Sequence, residues 1–242
     1  MTLRVAMWSG PRNLSTALMR SFGNRPDCSV VDEPFYAAYL HATGLDHPGR
    51  DEVTASQPTD PDAVLRDITE GTVDAELQYQ KHMTHHLLPT VDRGPLGVLR
   101  HAFLVRDPAR VLASYVKVRD QPTLEDLGLP QQVELFERYG GPVVDAADVL
   151  ADPRATLTLL CEALGVVFDE RMLSWPRGRR STDGVWATYW YAGVEASTGF
   201  ARESPGSGDP VPERLQPLLD RCRPFYEALA AYRLRPGRTE EP

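Results

Sequence analysis

The sequence predicts an α/β protein, three layers thick, with a central, mostly parallel sheet flanked by helices. Three observations carry this. Short apolar runs alternate with amphipathic helical stretches, the pattern of a parallel sheet covered on both faces. Three Asp-Pro pairs, Asp60-Pro61, Asp107-Pro108 and Asp152-Pro153, each place an N-cap before a proline at the first helical position. The 242 residues, 42% hydrophobic, suit one such domain with a buried core.

The elements follow in order. Leu3 to Trp8 is a short apolar strand. Ser9-Gly10-Pro11-Arg12-Asn13-Leu14-Ser15-Thr16 is a polar turn, and Ala17 to Phe22 begins a helix. Cys28 to Val31 is a second strand, ending in Asp32-Glu33-Pro34-Phe35. Residues 43–60, rich in Gly, Pro, Asp and Thr, read as a surface loop or lid. A helix runs from Pro61 to about Glu70, and Leu77 to Met83 is a third strand. Ala102 to Val105 is a clearer strand, followed by a helix from Pro108 through about Lys117. Gly141 to Val144 is another short strand. The helix opened by Asp152-Pro153 carries the stripe Leu157, Leu160, Cys161 and Leu164, and Gly165 is placed to end it. Residues 174–208 read as irregular, with Arg177, Arg179, Arg180, Trp175, Trp186 and Trp190. A last helix runs from Pro212 to about Tyr232. Residues 1–235 are expected to form a single domain and 236–242 a flexible tail.

Composition excludes several classes. The net charge of −8 argues against a broad nucleic-acid surface, so an anionic ligand must be met by a local arginine cluster. Cys28, Cys161 and Cys222 are scattered and odd in number, without metal spacing or a disulfide framework, which favours a reducing cytoplasm. No signal-peptide pattern and no membrane-length apolar run is present.

The strand, polar turn and helix start of residues 3–22 make an anion cradle. The first N–H groups of a helix lack internal partners and point at whatever sits there. Arg12 adds a cation, and Ser15 and Thr16 add hydroxyls. The segment looks like the phosphate loop of a P-loop fold but lacks the Gly-x-x-x-x-Gly-Lys-Ser/Thr signature. A second anion site is expected at Arg106, at a strand end, with Ser114 eight residues later, about two helical turns on. Taken alone, that pair also fits an ordinary strand–helix junction.

Together the two segments resemble the sulfotransferases that use 3′-phosphoadenosine-5′-phosphosulfate (PAPS). Many members read Pro-Lys-Ser-Gly-Thr-Thr where this chain has Pro11-Arg12-Asn13-Leu14-Ser15-Thr16. The family's second segment, an Arg, a following Asn/Asp-Pro and a Ser eight positions after the Arg, is matched by Arg106, Asp107-Pro108 and Ser114, then Tyr115. Asp148-Val149-Leu150 with Asp152-Pro153 and Leu164-Gly165 looks like a third family stretch. Arg179-Arg180-Ser181 with Gly184 and Trp186 keeps the spacing of the family's late basic loop.

The resemblance implies a P-loop-like fold and a cytoplasmic enzyme that moves a sulfuryl group from PAPS to a hydroxyl or amine of a small-molecule acceptor, leaving adenosine 3′,5′-bisphosphate. It implies that Asn13, Leu14, Ser15 and Thr16 hold the 5′-phosphate with Arg12, and that Arg106 and Ser114 hold the 3′-phosphate under Arg179 and Arg180. Arg12 occupies the position of the family's catalytic lysine, and Leu14 stands where the family has a glycine, which limits how closely the loop wraps. Arginine stays protonated, so Arg12 would stabilise charge and not donate a proton. The acceptor needs a base. Glu33, after the second strand, is the first choice, and His82, within Lys81 to Pro89, is the histidine alternative, with His85 and His86 behind. These histidines lack a completing carboxylate or cysteine nearby, so no metal is expected. Alternatives are a P-loop kinase using ATP and magnesium, disfavoured by the missing Gly-Lys, and a nucleotide-binding module with weak catalysis.

Overall fold

The computed structural model describes residues 2–201 and 209–237. Its strands are β1 (Leu3–Ser9), β2 (Cys28–Asp32), β3 (Leu77–Met83), β4 (Arg100–Val105) and β5 (Val143–Asp145). They form one parallel sheet in the order β2-β3-β1-β4-β5. Helices α1 (Ser15–Gly23), α2 (Tyr36–Thr43), α3 (Arg50–Ser56) and α4 (Pro61–Glu70) fall in the first part of the chain. Then come α5 (Pro108–Tyr115), α6 (Leu124–Leu127), α7 (Leu129–Tyr139), α8 (Ala146–Ala151) and α9 (Pro153–Leu164). The last are α10 (Ala187–Trp190), α11 (Ala192–Glu195) and α12 (Gln216–Ala230).

Strand β1 lies at the centre and is buried on both faces. Val5 and Met7 enter one core with Leu18, Phe22 and Tyr79, while Ala6 and Trp8 enter the other with Leu65, Phe103 and Leu135. Two-sided burial is why β1 reads as a continuous apolar run. With β3 on one side and β4 on the other, the carboxyl end of β1 sits where connections diverge, and a crevice opens there.

The three Asp-Pro starts are N-caps. Asp60, Asp107 and Asp152 accept the backbone N–H groups of Asp62, Ala109 and Ala155, each worth about 1 kcal/mol. Gly165 closes α9 in the left-handed region (φ 72°), where a side chain would be strained.

One expectation needs correction, and one stretch holds helices for which the sequence offered no reading. Residues 43–60 are not simply a loop or lid. Helix α3 lies within them, anchored by fully buried Val53, and Gln57 Nε2 donates to the carbonyls of Asp32 and Glu33. Residues 116–140 hold α6 and α7, which the sequence pattern did not suggest. Gln132 on α7 is buried and donates from Nε2 to the Trp8 and Leu104 carbonyls (both 2.9 Å), bracing the ends of β1 and β4. Part of the irregular stretch (202–208) and of the tail (238–242) lies outside the described residues.

Candidate active site

The turn after β1 is shaped by contacts that leave little choice of residue. A Cβ on Gly10 would stand 2.5 Å from the Leu127 carbonyl oxygen, so the backbone passes α6 only as glycine. The left-handed conformation the turn needs falls on Arg12 (φ 54°). Leu14 has φ −82°, a conformation open to any residue, so the family's glycine is not required there. Asn13 is fixed by its side chain. Its Oδ1 accepts the Leu14 N–H (2.8 Å) and its Nδ2 donates to the Leu104 carbonyl (3.1 Å).

The two anion segments meet. Arg106 Nη1 donates to the Arg12 carbonyl (2.9 Å), and Arg12 Nε donates to Ser114 Oγ (3.0 Å). Helix α1 starts beneath them with no side-chain cap and no acid in its first turn, so its leading N–H groups face the same space. Burial and then the neighbouring Arg106 guanidinium lower the Arg12 pKa, though arginine starts so high that it stays cationic. Two cations, a helix start and two hydroxyls so placed suit a ligand with more than one anionic group.

A cavity of about 620 Å³ contains Arg12 to Thr16, Arg106 and Ser114 on its wall. Its other walls include Glu33, Lys81, Tyr36, His86, Trp190 and Tyr191. Glu33 directly follows β2 with φ 41° and is buried. Lys81, fully buried at the facing position of β3, lies with Nζ 2.5 Å from Glu33 Oε1 and 3.0 Å from Asp32 Oδ1. The Tyr191 hydroxyl contacts Asp32 at 2.8 Å and accepts from Trp186 Nε1 (3.1 Å). Burial raises the Glu33 pKa, with Asp32 adding to the rise and Lys81 opposing it. For Lys81, burial favours the neutral amine, but Asp32 and Glu33 outweigh it and its pKa rises.

The structure thus brings Arg12 to Thr16, Arg106, Ser114 and Glu33 to one cavity. It does not bring His82 there. That side chain lies on the opposite face of β3, stacked on Trp8 (ring centroids 4.3 Å apart), with Nε2 3.1 Å from Gln80 Oε1. Burial pushes its pKa down to about 3. The alternation of a strand explains this: Lys81 and Met83 line the cavity, so His82 between them cannot. His85 and His86 do reach the wall. Arg179 and Arg180 do not close over the cavity either. Arg179 is exposed and donates to Thr188 Oγ1 (2.9 Å), and the Arg180 N–H donates to Asp183 (2.8 Å). Trp186 is core, while Trp190 is on the wall. Among the described residues, no group of three or more His, Cys, Asp and Glu is placed to hold a metal.

Lys81, Asp32 and Tyr191 were not singled out by sequence. The available signal is Lys81 in a strand reading Leu-Gln-Tyr-Gln-Lys-His-Met, where buried polar residues need partners. Those partners sit 48, 49 and 110 residues away in the chain.

The sulfotransferase domain family model matches residues 3–233. Two Arabidopsis thaliana proteins, branched-chain-amino-acid aminotransferase-like proteins 1 and 2, are 38% and 36% identical over 93% of this chain. The chain spans only 41% of the length of these curated relatives. Among solved structures, the sulfotransferase domain from the curacin biosynthetic pathway aligns with a TM-score of 0.58 at 16% identity, covering 97% of this chain and 99% of that one. A sulfotransferase from Alicyclobacillus acidocaldarius gives 0.58 at 14% identity, covering 97% and 98%. These alignments match the parallel sheet and its flanking helices. Among the described residues, no helix is long and apolar enough to cross a membrane.

Proposed function

The chain belongs to the sulfotransferase domain family, and from that premise we propose that it transfers a sulfuryl group from PAPS to a hydroxyl or amine of a small-molecule acceptor. The observation that carries the reading is the bonded cluster of Arg12, Arg106 and Ser114 above the uncapped start of α1, in the same cavity as Glu33. The residues fit a ligand with a phosphosulfate at one end and a phosphate at the other. When bound, PAPS supplies an activated sulfuryl group on a phosphate leaving group.

The chain's own part is to position and to stabilise charge, as in phosphoryl transfer. Ser15, Thr16 and the backbone N–H groups of residues 13, 15 and 16 hold the 5′-phosphate, while the Leu14 N–H stays with Asn13 Oδ1. Arg12 meets the sulfuryl group and stabilises the negative charge that grows on the bridging oxygen. Arg106 and Ser114 hold the 3′-phosphate, Ser114 exchanging its Arg12 bond for the ligand. Glu33 takes the proton from the acceptor oxygen or nitrogen as that atom attacks. A carboxylate whose pKa is raised by burial is better matched to that proton than an exposed one. No metal has a role in this account, and a cytoplasmic site of action is part of it.

Thermal shift tests the reading. Adenosine 3′,5′-bisphosphate should raise the melting temperature more than ATP with magnesium, because only a ligand that fits the native site stabilises it. Equal or reversed shifts would overturn PAPS use and favour the kinase alternative. Mass spectrometry of candidate acceptors incubated with PAPS then identifies the sulfated product.

A further inference from the structure

Glu33 does not stand alone at the end of β2. Among the described residues, the bonds its carboxylate accepts fall on one oxygen. Lys81 Nζ lies 2.5 Å from Oε1 and the Tyr191 hydroxyl 3.4 Å from it. The other oxygen, Oε2, lies on the side of His86, whose Nδ1 is 3.8 Å away. Lys81 and Tyr191 are themselves fixed. Lys81 Nζ also donates to Asp32 Oδ1 (3.0 Å), and the Tyr191 hydroxyl meets both Asp32 oxygens at 2.8 Å. Asp32 Oδ2 further accepts the Gly184 N–H (3.1 Å).

We propose that Lys81, itself fixed by Asp32 and Tyr191, grips Glu33 by Oε1, so that these three are positioning residues and Oε2 is presented to the acceptor. This rests on Glu33 being the base in the reading above. Three properties point to it. Lys81 and Asp32 are buried side chains with almost no solvent to stabilise a charge there, so each charge is met by protein groups around it. The backbone at Glu33 is left-handed, a conformation kept at a non-glycine residue only when its surroundings over-determine it. Tyr191 is brought from the far end of the chain, so the site is complete only once residues 184–191 have docked.

The same arrangement sets the proton affinity of Glu33. The titratable groups facing it are Asp32 at the end of β2, Lys81 on β3, His86 after β3, Tyr36 on α2 and Tyr191. Asp32 favours protonation of Glu33, while Lys81 and the Tyr191 hydroxyl favour the carboxylate. His86, buried and held well below its usual pKa, is neutral at pH 7 and adds no charge. Removing the three groups must therefore move Glu33 in opposite directions.

The test is a carbon-13 NMR titration of the whole protein labelled at the glutamate side-chain carboxyl. The Glu33 signal is assigned by its loss in Glu33→Gln. Asp32→Asn should lower the Glu33 midpoint by about one pH unit or more, and Lys81→Met should raise it by a similar amount. Tyr191→Phe, the mildest change, should raise it by less. Midpoints that stay in place, or that all move in one direction, would overturn the proposal. Should Lys81→Met not fold, Asp32→Asn and Tyr191→Phe still give opposite shifts or refute the proposal. The readout needs neither PAPS nor an acceptor, so failure of the sulfotransfer reading would appear separately, as absent product with the opposite shifts intact.

Discussion

Asp183→Ala should destabilise the protein more than most single substitutions. Asp183 accepts Arg20 Nη1 at 2.5 Å and Nη2 at 2.7 Å, and the side chains are 0% and 2% exposed. It also accepts the Arg180 N–H at 2.8 Å. This double bond pins the segment before α10 to α1, the helix that begins at the anion turn. Alanine leaves the Arg20 guanidinium buried without its counter-ion, a change that costs about 3–5 kcal/mol. Near this chain length about 2–4 °C of melting temperature goes with each kcal/mol, so the midpoint should fall by about 6–20 °C. Release of the segment would let water reach Arg20 and favour the lower end. Calorimetry and urea unfolding measure the loss. The double variant Arg20→Met with Asp183→Leu should recover most of it, because two apolar side chains need no counter-ion. A loss under about 1 kcal/mol would mean the pair behaves as a solvated surface bridge, and the clamp would be refuted.

Other outcomes follow from the same geometry. Arg106→Ala should weaken adenosine 3′,5′-bisphosphate binding by about ten-fold to a hundred-fold, the range of one charge-assisted hydrogen bond, while adenosine 5′-monophosphate changes little; calorimetry would show an equal loss for both if the assignment is wrong. Glu33→Gln should cut kcat by about 10²–10⁴ with bisphosphate affinity kept, and unchanged turnover would move the base elsewhere. Gly10→Ala should cost about 1–3 kcal/mol in urea unfolding, since its Cβ meets the Leu127 carbonyl at 2.5 Å; a neutral result would show that the turn can shift. Stability should fall between pH 7 and pH 5. Burial lowers His82 and His85 to about 3 and His101 to about 4, so between those values and about 6.5 the unfolded chain holds more protons than the folded one. That stabilisation is present above about 6.5 and is lost as pH falls, at up to about 1.4 kcal/mol per pH unit for each histidine. Raised carboxyls at Glu33 and Asp145 act in the opposite sense. Equal or greater stability at pH 5 in urea unfolding would contradict this balance.

What sequence could carry was local. The β1 turn, the three Asp-Pro caps and the Arg106–Ser114 interval are each written within a dozen residues, and the structure forms the elements that bear them. Helix α3 escaped because its seven residues bury only Val53 and show no periodic face. Helix α7 escaped although it carries Leu135 and Gln132 inward, because a glutamine bonding two strand carbonyls looks polar in a pattern and buried in space. At the site, the fate of His82 was decided by strand alternation around Lys81 and Met83. The late basic stretch kept its spacing, yet Arg179 turned to Thr188 and Trp186 to Tyr191. The Asp32–Lys81–Tyr191 grip joins three distant segments, and no single stretch of sequence contains it.

Arg12 and Glu33 are the non-glycine residues with left-handed backbone among the described residues. Each such position costs about 1 kcal/mol or more against glycine. A laboratory selection for heat resistance alone would therefore drift toward glycine or asparagine at position 12, where losing the side chain strands no buried charge. Position 33 would hold its acid, because losing that carboxylate takes a counter-ion from buried Lys81 and outweighs the backbone strain. Selection for turnover should restore Arg12, so position 12 would trade places between the enriched and the depleted variants of the two screens.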